Sequence, residues 1–236
     1  MLADAAAKRG CLSMVLDLAD SLFNDLGRPC VYAKLLKLIP ECSLLCLDIP
    51  CNTWSRARRG PPSSKLPRAL RSDAELWGLK GLSPRDEAKV RSANHMIKGC
   101  LRLARAAIEN NVGGYLENPL TSRLWLVPAI QSLVKRGKAV FIDLDMCQYD
   151  TQWRKPTRLL VWGPSRLSFE MLRCQSRAGI CSRTHKPHLK LSGLTNGAFV
   201  TAQAQVYTWA FSDAVARQLL NGTAATASAT EGSGCG

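Results

Sequence analysis

The stretch SLLCLDIPCNTW, residues 43–54, decides the fold class of the chain. Its apolar first half, stopped by Pro50, is typical of a short buried strand that runs into a loop. Three similar runs follow it: GGYLEN at 113–118, AVFIDLDMCQY at 139–149 and TRLLVWG at 157–163. Helical patterns separate the first three runs, and strands that alternate with helices indicate a mostly parallel sheet. The sequence therefore predicts an α/β fold.

The longest predicted helix spans 84–111. Ser83 is a good N-cap for it, and Pro84 suits its first turn. Residues 56–72 are basic and rich in proline and serine, which predicts a mobile loop. Shorter helices are predicted at 2–10, 30–39, 120–137 and 202–220, with one further strand at 12–18.

These patterns divide the chain into three parts. Residues 1–165 are predicted to form the core, and 166–220 a short basic segment with a closing helix. The low-complexity tail at 221–236 is expected to be disordered. The 236 residues suffice for one sizeable core and a small appendage.

Charge and cysteine content narrow the class of protein. The chain has 32 Lys and Arg against 18 Asp and Glu, a formal net charge of +14. Such an excess favours a polyanionic partner, nucleic acid above all, and the alternative is a basic protein without one. Ten cysteines and no secretory signal indicate an intracellular protein with reduced thiols, metal ligands or catalytic groups. No apolar run approaches the roughly 18 residues that span a bilayer, so no membrane partner is expected.

Reactive side chains stand where three of the predicted strands end. Cys51 follows the first run, Glu117 and Asn118 end the second, and CQYDTQWRKPTR follows the third. Because ligands bind outside the carboxyl ends of strands in doubly wound sheets, these groups predict a site at one rim. Each also has a plainer interpretation: Cys51 as an inert buried thiol, and Glu117 as a helix cap. Arg154 and Arg158 are equally suited to phosphate contacts or a solvated basic face.

Together these stretches resemble the motifs of the DNA (cytosine-5)-methyltransferases. The pair Pro50–Cys51 looks like the family's Pro-Cys nucleophile motif, and LENP at 116–119 looks like its Glu-Asn motif. QYDTQWRKPTR at 148–158 looks like a variant of its Gln-x-Arg-x-Arg motif. Order and approximate spacing also agree, over roughly residues 5–165. The style is similar to that of a divergent branch found in mobile elements.

The resemblance implies a Rossmann-like fold and methyl transfer from S-adenosylmethionine to cytosine C5 in DNA. Cys51 would add to C6 as a thiolate, with its pKa lowered by loop amides or a helix N-terminus together with Arg56 and Arg58. Glu117 would hydrogen-bond N3 of a base flipped out of the duplex, with Asn118 bracing the loop. RNA methylation is the lesser alternative, and a eukaryotic protein would be nuclear.

The third motif is matched at Gln152 and Arg154, whereas Pro156 stands where the family has its second basic residue. By resemblance, Arg154 would hold the carbonyl oxygen of the cytosine. For the cofactor, the resemblance implies Asp17 at the ribose and Asp25 at the adenine.

Two further departures from the family bear on activity. Asp48 and Ile49 replace Gly-Pro before Pro50, and a carboxylate pointing inward there would oppose a thiolate. The family's first strand and glycine-rich cofactor loop have no counterpart, so the chain is expected to be truncated at its N-terminus. The alternative to an enzyme is therefore a catalytically inactive remnant that only binds nucleic acid.

A second cluster of chemistry-bearing residues lies in the irregular C-terminal segment. Cys174, Cys181, His185 and His188 fall within fifteen residues, in a spacing that matches no standard zinc finger. With Cys147 from the sheet, the set Cys147, Cys174, Cys181 and His188 would complete a tetrahedral zinc site. The alternative is a group of unrelated thiols in a basic loop. The basic residues suited to phosphate contact there are Arg166, Arg173, Arg177, Arg183, Lys186 and Lys190.

Overall fold

The computed structural model describes residues 1–16, 28–58, 60, 67–191, 194, 195, 198, 199, 204 and 206–231. The two acids assigned to the cofactor, Asp17 and Asp25, lie outside the described residues. So does the end of the strand predicted at 12–18, and residues 11–16 form no regular secondary structure.

The main sheet has four strands, in the order β1-β2-β4-β3. β1 and β2 are parallel, with a register that runs from Leu44 opposite Gly113 to Asp48 opposite Glu117. The predicted α/β class is confirmed, with a sheet that is mixed. The strands are β1 (Leu44–Asp48), β2 (Gly113–Pro119), β3 (Ala139–Asp145) and β4 (Pro156–Trp162), followed by a small antiparallel pair, β5 (Leu194–Thr195) and β6 (Ala198–Phe199).

The helices follow their sequence signals, with two corrections. They are α1 (Leu2–Ala7), α2 (Pro29–Leu38), α3 (Pro84–Glu109), α4 (Pro128–Lys135) and α5 (Trp209–Glu231). The Ser83 hydroxyl accepts from the Asp86 N–H at 3.2 Å, which is the predicted cap of α3. The helix predicted at 120–137 is split, because Pro128 starts a new helix after a 3₁₀ turn.

The closing helix also differs from the prediction of 202–220. It starts later, where the Thr208 hydroxyl accepts from the Phe211 N–H at 3.2 Å. It then continues to Glu231, through a stretch rich in alanine, the best helix former. The tail expected to be disordered from 221 is thus helical as far as Glu231, and 232–236 lie outside the described residues.

The chain forms two compact units, which differ from the three sequence-based parts. One comprises Met1–Val15, Ile142–Arg158 and Ser168–Gly236, and the other Leu16–Phe141 and Leu159–Leu167. The boundaries between the units fall inside β3 and β4. The carboxyl end of β3 and the amino end of β4 belong to the same unit as the C-terminal segment.

The second unit holds the larger apolar core. α3 buries one face at helical spacing against β1 and β2, and fully burying a Leu or Ile side chain stabilises by about 1.5–3 kcal/mol. α2 packs closely on α3 at Gly99, where a Cβ would collide with the Tyr32 ring. The most buried large side chains of this second unit include Trp54, Ile97, Leu103, Leu116, Leu124, Ile130 and Trp162.

The first unit relies more on individual contacts. α1 packs on α5, where Arg9 pairs with Asp213 at 2.7 Å and Lys8 lies 4.3 Å over the Trp209 ring. Phe211 of α5 meets Tyr149 edge to face. Within the described residues, no helix has both the length and the apolar character that crossing a bilayer requires.

Candidate functional site

The Cys51 turn directly follows β1. The N–H groups of Trp54 and Ser55 both donate to the Cys51 carbonyl, at 3.0 and 2.9 Å. Cys51 itself is partly exposed. The residues that follow Cys51 form a tight turn and do not begin a helix. The backbone donors nearest to Cys51 in sequence are therefore the amides of this loop and not those of a helix N-terminus.

Asn118 braces this turn from the neighbouring strand. Its Nδ2 donates to the Ile49 carbonyl at 2.9 Å and to the Glu117 carbonyl at 3.1 Å. Asn118 is completely buried, and no described residue donates a hydrogen bond to its Oδ1. A buried hydrogen bond therefore joins the end of β2 to the start of the Cys51 turn.

Acidic groups lie together at the ends of β1 and β2. Asp48 and Glu117 are opposite each other in the register, so their side chains share one face of the sheet. Glu117 is buried, whereas Asp48 is exposed and accepts from the Tyr115 hydroxyl at 3.5 Å. Burial, then the charge of Asp48, raise the pKa of both Tyr115 and the Cys46 thiol. The raised pKa keeps the Cys46 thiol protonated at neutral pH.

Arg71 is a part of this site that the sequence did not reveal. The loop at 56–72 was predicted to be mobile, yet Arg71 is only 1% exposed. Its guanidinium donates to the Thr53 hydroxyl from Nε at 3.3 Å and from Nη2 at 3.0 Å. It also lies 3.6 Å from the centroid of the Trp54 ring, a cation–π contact. No spacing in the sequence signals this contact.

The two arginines expected to favour a Cys51 thiolate are engaged elsewhere. Arg56 pairs with Asp73 at 2.7 Å, and Arg58 donates from Nε to the Arg68 carbonyl at 3.1 Å. Arg123 also pairs with Asp73, at 3.1 Å, and its N–H donates to the Trp54 carbonyl at 3.0 Å. The hydrogen bond from Arg56, helped by Arg123, lowers the pKa of Asp73.

A cavity of about 250 Å³ opens beside the Cys51 turn. One wall is formed by Ile49, Pro50 and Asn52, and the other by the first half of α3. Its lining is mostly apolar, with Lys89 as the charged group. Lys89 is itself paired with Asp86 at 2.8 Å.

The third predicted motif lies in the other unit and is held by a buried acid. Asp145, completely buried at the end of β3, accepts from Arg154 Nε at 3.0 Å and from Arg173 Nε at 2.9 Å. Arg154 Nη2 also donates to the Cys174 carbonyl at 3.2 Å. Gln152 is exposed, and its carbonyl accepts from the Leu189 N–H at 2.9 Å.

Burial works against ionisation of Asp145, but three donors outweigh it. Hydrogen bonds from Arg154, from the Cys174 N–H at 2.9 Å and from Arg173 hold the pKa of this carboxyl below its usual value. Asp145 is therefore an anion that fixes both arginines. The side chain of Arg154 keeps 39% of its surface exposed.

The basic residues of the C-terminal segment fall into two groups. Arg158 forms a two-pronged pair with Asp143, at 2.6 and 2.9 Å, so it belongs to the packing of the sheet and is no solvated cation. Arg173 and Arg183 are also ion-paired, and Arg166 donates to the Gly163 and Gly137 carbonyls. The cations that are exposed and carry no ion pair within the described chain are Arg177, Lys186 and Lys190.

The structure brings together the four residues singled out as metal ligands. The thiols of Cys147, Cys174 and Cys181 and one ring nitrogen of His188 all lie within 4.8 Å of one another. The Cys174 Sγ is 3.7 Å from His188 Nε2. His185 is exposed and not a member. The arrangement favours a common role for these residues over a set of unrelated thiols.

The local fold explains this convergence. Cys147 sits in the 3₁₀ turn Met146–Tyr149 after β3. Around Cys181 the chain doubles back, since its N–H donates to the Lys186 carbonyl and its carbonyl accepts from the His185 N–H, both at 2.9 Å. His185 takes a left-handed conformation to close that turn.

Cys147 and Cys181 differ in acidity. Burial raises the pKa of Cys147 to about 12, and its two neighbouring cysteines add to that effect. Burial also opposes ionisation of Cys181, but donors from Thr184 and Arg183, together with His188, lower its pKa to about 6. A bound metal cation would instead lower the pKa of Cys147, because a thiol that coordinates a metal is deprotonated.

Comparisons with known proteins give no relative. No family model, no curated protein and no solved structure matches this chain.

Proposed function

We propose that this chain is a DNA cytosine-5 methyltransferase-like protein in which Cys51 is the nucleophile. One observation carries the proposal: the buried bond from Asn118 to the Ile49 carbonyl, beside the parallel register of Asp48 and Glu117. It ties the Glu-Asn stretch to the Pro-Cys stretch at the carboxyl end of two parallel strands. Ligands bind at that end in such sheets.

The chemistry assigned to each residue follows from the poor nucleophilicity of cytosine C5. The Cys51 thiolate donates an electron pair to C6, and the C5–C6 π electrons shift toward C5 and N3. Glu117 hydrogen-bonds N3 and stabilises the charge that develops there. C5 then takes its new substituent and loses its proton to a base, and the S–C6 bond breaks to restore Cys51.

The cavity beside the Cys51 turn fits only part of S-adenosylmethionine. At about 250 Å³ it is smaller than the roughly 300–1,000 Å³ of pockets that enclose drug-sized ligands. Its described lining carries no carboxylate for a ribose, and Asp17 and Asp25 lie outside the described residues. The cofactor, when bound, supplies the methyl group.

Charge supports DNA as the partner. The net charge of +14 favours a polyanion, and each phosphate neutralised releases counterions. In the C-terminal segment, the exposed Arg177, Lys186 and Lys190 are the cations free of ion pairs within the described chain, so they are the ones suited to phosphate contact. Binding should weaken steeply as salt rises.

Release of tritium from C5 of cytosine tests this proposal without the cofactor. Addition of Cys51 to C6 makes C5 exchange its hydrogen with water, so duplex DNA carrying [5-³H]cytosine should lose label. Cys51→Ser should lower that rate by about a thousandfold or more. Cys30→Ser, which changes an exposed thiol on α2, is the matched control and should match the wild type.

Label that stays in the DNA with the wild-type chain, at protein concentrations that saturate the duplex, would overturn the enzyme. Salt-dependent DNA binding without exchange would then establish the second candidate, a nucleic-acid-binding remnant. That candidate is favoured by one observation: Arg56 and Arg58, the cations nearest in sequence after Cys51, have their donors committed to Asp73 and to a backbone carbonyl.

We further propose that Cys147, Cys174, Cys181 and His188 bind zinc. Zn–S bonds of about 2.3 Å and a Zn–N bond of about 2.0–2.1 Å in a tetrahedron place ligand atoms roughly 3.5–3.8 Å apart. The 3.7 Å between the Cys174 and His188 ligand atoms agrees with this geometry. Four protein ligands leave no open position, which is typical of a structural site.

Metal content tests the zinc proposal. The chain purified under reducing conditions should carry about one zinc ion, measured by inductively coupled plasma mass spectrometry. Cys174→Ser should lose the metal, whereas Cys11→Ser, which changes a thiol of the same unit outside the group, should keep it. Equal zinc content in the two variants, or none in the wild type, would contradict the site.

A further inference from the structure

Arg71 connects the Cys51 turn to two other parts of its unit. Besides Thr53 and Trp54, its guanidinium contacts the loop after it, donating from Nη1 to the Leu76 carbonyl at 2.6 Å. It also contacts α3, donating to Asn94 Oδ1 at 2.7 Å and to the Val90 carbonyl at 3.4 Å. These five hydrogen bonds match the five N–H groups of a guanidinium.

The acceptors of Arg71 are all neutral. They are one hydroxyl, one side-chain amide and two backbone carbonyls, and the described structure shows no carboxylate among them. Arginine is almost never fully buried unless it is paired with an acid. Burial lowers the pKa of Arg71 to about 10, so the group is still a cation at neutral pH.

Packing alone does not explain a buried cation here. An apolar side chain of similar volume often fills such a site with equal or greater stability. What the guanidinium adds is a rigid fork that fixes the Thr53 hydroxyl and the Trp54 ring relative to α3. These are the second and third residues after Cys51, and Trp54 closes the turn through its N–H to the Cys51 carbonyl.

We propose that Arg71 is the positioning residue of the Cys51 turn: it presents Cys51 for reaction by fixing Thr53 and Trp54, and its positive charge favours the thiolate. The role as a presenter of the nucleophile rests on the function proposed above. The surrounding elements carry further charged groups, among them Asp48 on β1, Glu117 on β2, Lys89 with its partner Asp86 on α3, and Arg56 and Arg123 with their shared partner Asp73.

Thiol reactivity and amide exchange test the proposal without DNA or cofactor. Alkylation of Cys51 by iodoacetamide is followed by mass spectrometry from pH 6 to 10. Arg71→Met should raise the midpoint of this profile by about one pH unit, a tenfold loss of rate near neutral pH. The Trp54 and Ser55 amides should exchange faster with deuterium. Arg91→Met, at an exposed site on α3, is the matched control and should change neither quantity.

Arg71→Lys separates charge from geometry. It retains the cation but loses the fork, so the alkylation midpoint should return toward the wild-type value while the two amides still exchange quickly. If circular dichroism shows that Arg71→Met does not fold, Arg71→Lys carries the test. Wild-type amide exchange in that variant, or identical profiles for Arg71→Met and Arg91→Met, would overturn the proposal.

The outcome is separable from that of the proposed function. If the Arg71 variants behave as expected but the wild type releases no tritium, the positioning role stands and cytosine chemistry fails. If the wild type releases tritium and Arg71→Lys releases it at the same rate with unchanged amide exchange, the enzyme stands and the positioning role fails.

Discussion

The Cys51 turn and the cysteine–histidine segment are stabilised in opposite ways. The turn stands at the end of a parallel strand pair, and its buried charge is a cation, Arg71, with neutral acceptors. The cysteine–histidine segment, residues 174–188, has little regular structure, and the buried charge that holds it is an anion, Asp145 at the end of β3, which pairs with two arginines and accepts from the Cys174 N–H. Strand pairing stabilises the region of the turn in addition to its side-chain contacts, whereas the segment depends on its side-chain contacts.

The largest effect is therefore expected in the segment, from Asp145→Asn. The change removes a buried carboxylate charge that accepts from Arg154, Arg173 and the Cys174 N–H, and leaves Arg173 only its longer pair with Asp143, so it should lower the free energy of unfolding by about 3 kcal/mol. Urea unfolding at pH 7 measures it. Asp213→Asn, which breaks a more exposed pair with Arg9, is the control and should cost less than about 1 kcal/mol. Similar losses for the two variants would contradict the comparison.

The same acid gives the comparison a pH dependence. The pKa of Asp145 is lower in the folded chain than its ordinary value, so its contribution is fully present above that ordinary value, near pH 4. It is lost as the pH falls through the folded pKa. The gap in stability between wild type and Asp145→Asn should therefore persist from pH 8 to 5 and close only in stronger acid.

A smaller effect is expected in the turn, from Asn118→Ala. It removes the bond to the Ile49 carbonyl and should cost about 1–2 kcal/mol in urea unfolding. Asn110→Ala is the matched control, because its Nδ2 also donates to a backbone carbonyl, at 2.9 Å, but on the surface. If Asn118→Ala lowers the free energy of unfolding more than Asp145→Asn does, then the turn, and not the segment, is the region that depends on individual side-chain contacts.

The smallest effect is expected from Asp73→Asn. Asp73 is half exposed and pairs with Arg56 and Arg123, and such surface pairs contribute little. The loss in melting temperature should be below that of Asn118→Ala, and should vanish in 1 M salt because screening removes it. Since pairing lowers the pKa of Asp73, the loss should also shrink as the pH falls below its ordinary pKa, near pH 4, and vanish only below the lowered pKa of the folded chain. A loss that survives high salt would show that the pair matters for packing.

Local patterns predicted the regular elements well. The four strands of the main sheet and the capped helix α3 were predicted within a few residues, because apolar runs and cap residues act at short range. The helix predicted at 120–137 was wrong over 120–127, where the chain forms a turn and the 3₁₀ helix Arg123–Leu126, and the α-helix begins only at Pro128. The strand at 12–18 was wrong over its described part, since an apolar run alone does not supply a neighbouring strand to pair with.

Residues could be singled out from the sequence where they belong to a recognisable motif. They could not be singled out where only contacts in the folded chain bring them together. The metal-type set from Cys147 to His188 was found because ligand chemistry limits the candidate residues to a few cysteines and histidines. Arg71 was missed because its partners, Trp54 and Asn94, lie 17 and 23 residues away in sequence, in separate elements. Nothing local distinguishes it from the other arginines of a basic loop.

The Cys51 carbonyl accepts two hydrogen bonds, which fixes the backbone at this residue. This bears on whether Cys51 or its proposed DNA substrate moves. With that carbonyl held by two N–H groups and the preceding Ile49 carbonyl held by Asn118, the sulfur can search space only by turning about χ1, among three staggered positions. In the reaction that we propose, a Cys51 nucleophile restricted in this way does not travel to its target. The displacement then falls on the nucleic acid, and the energy of unstacking the base becomes a property of the DNA sequence that is offered.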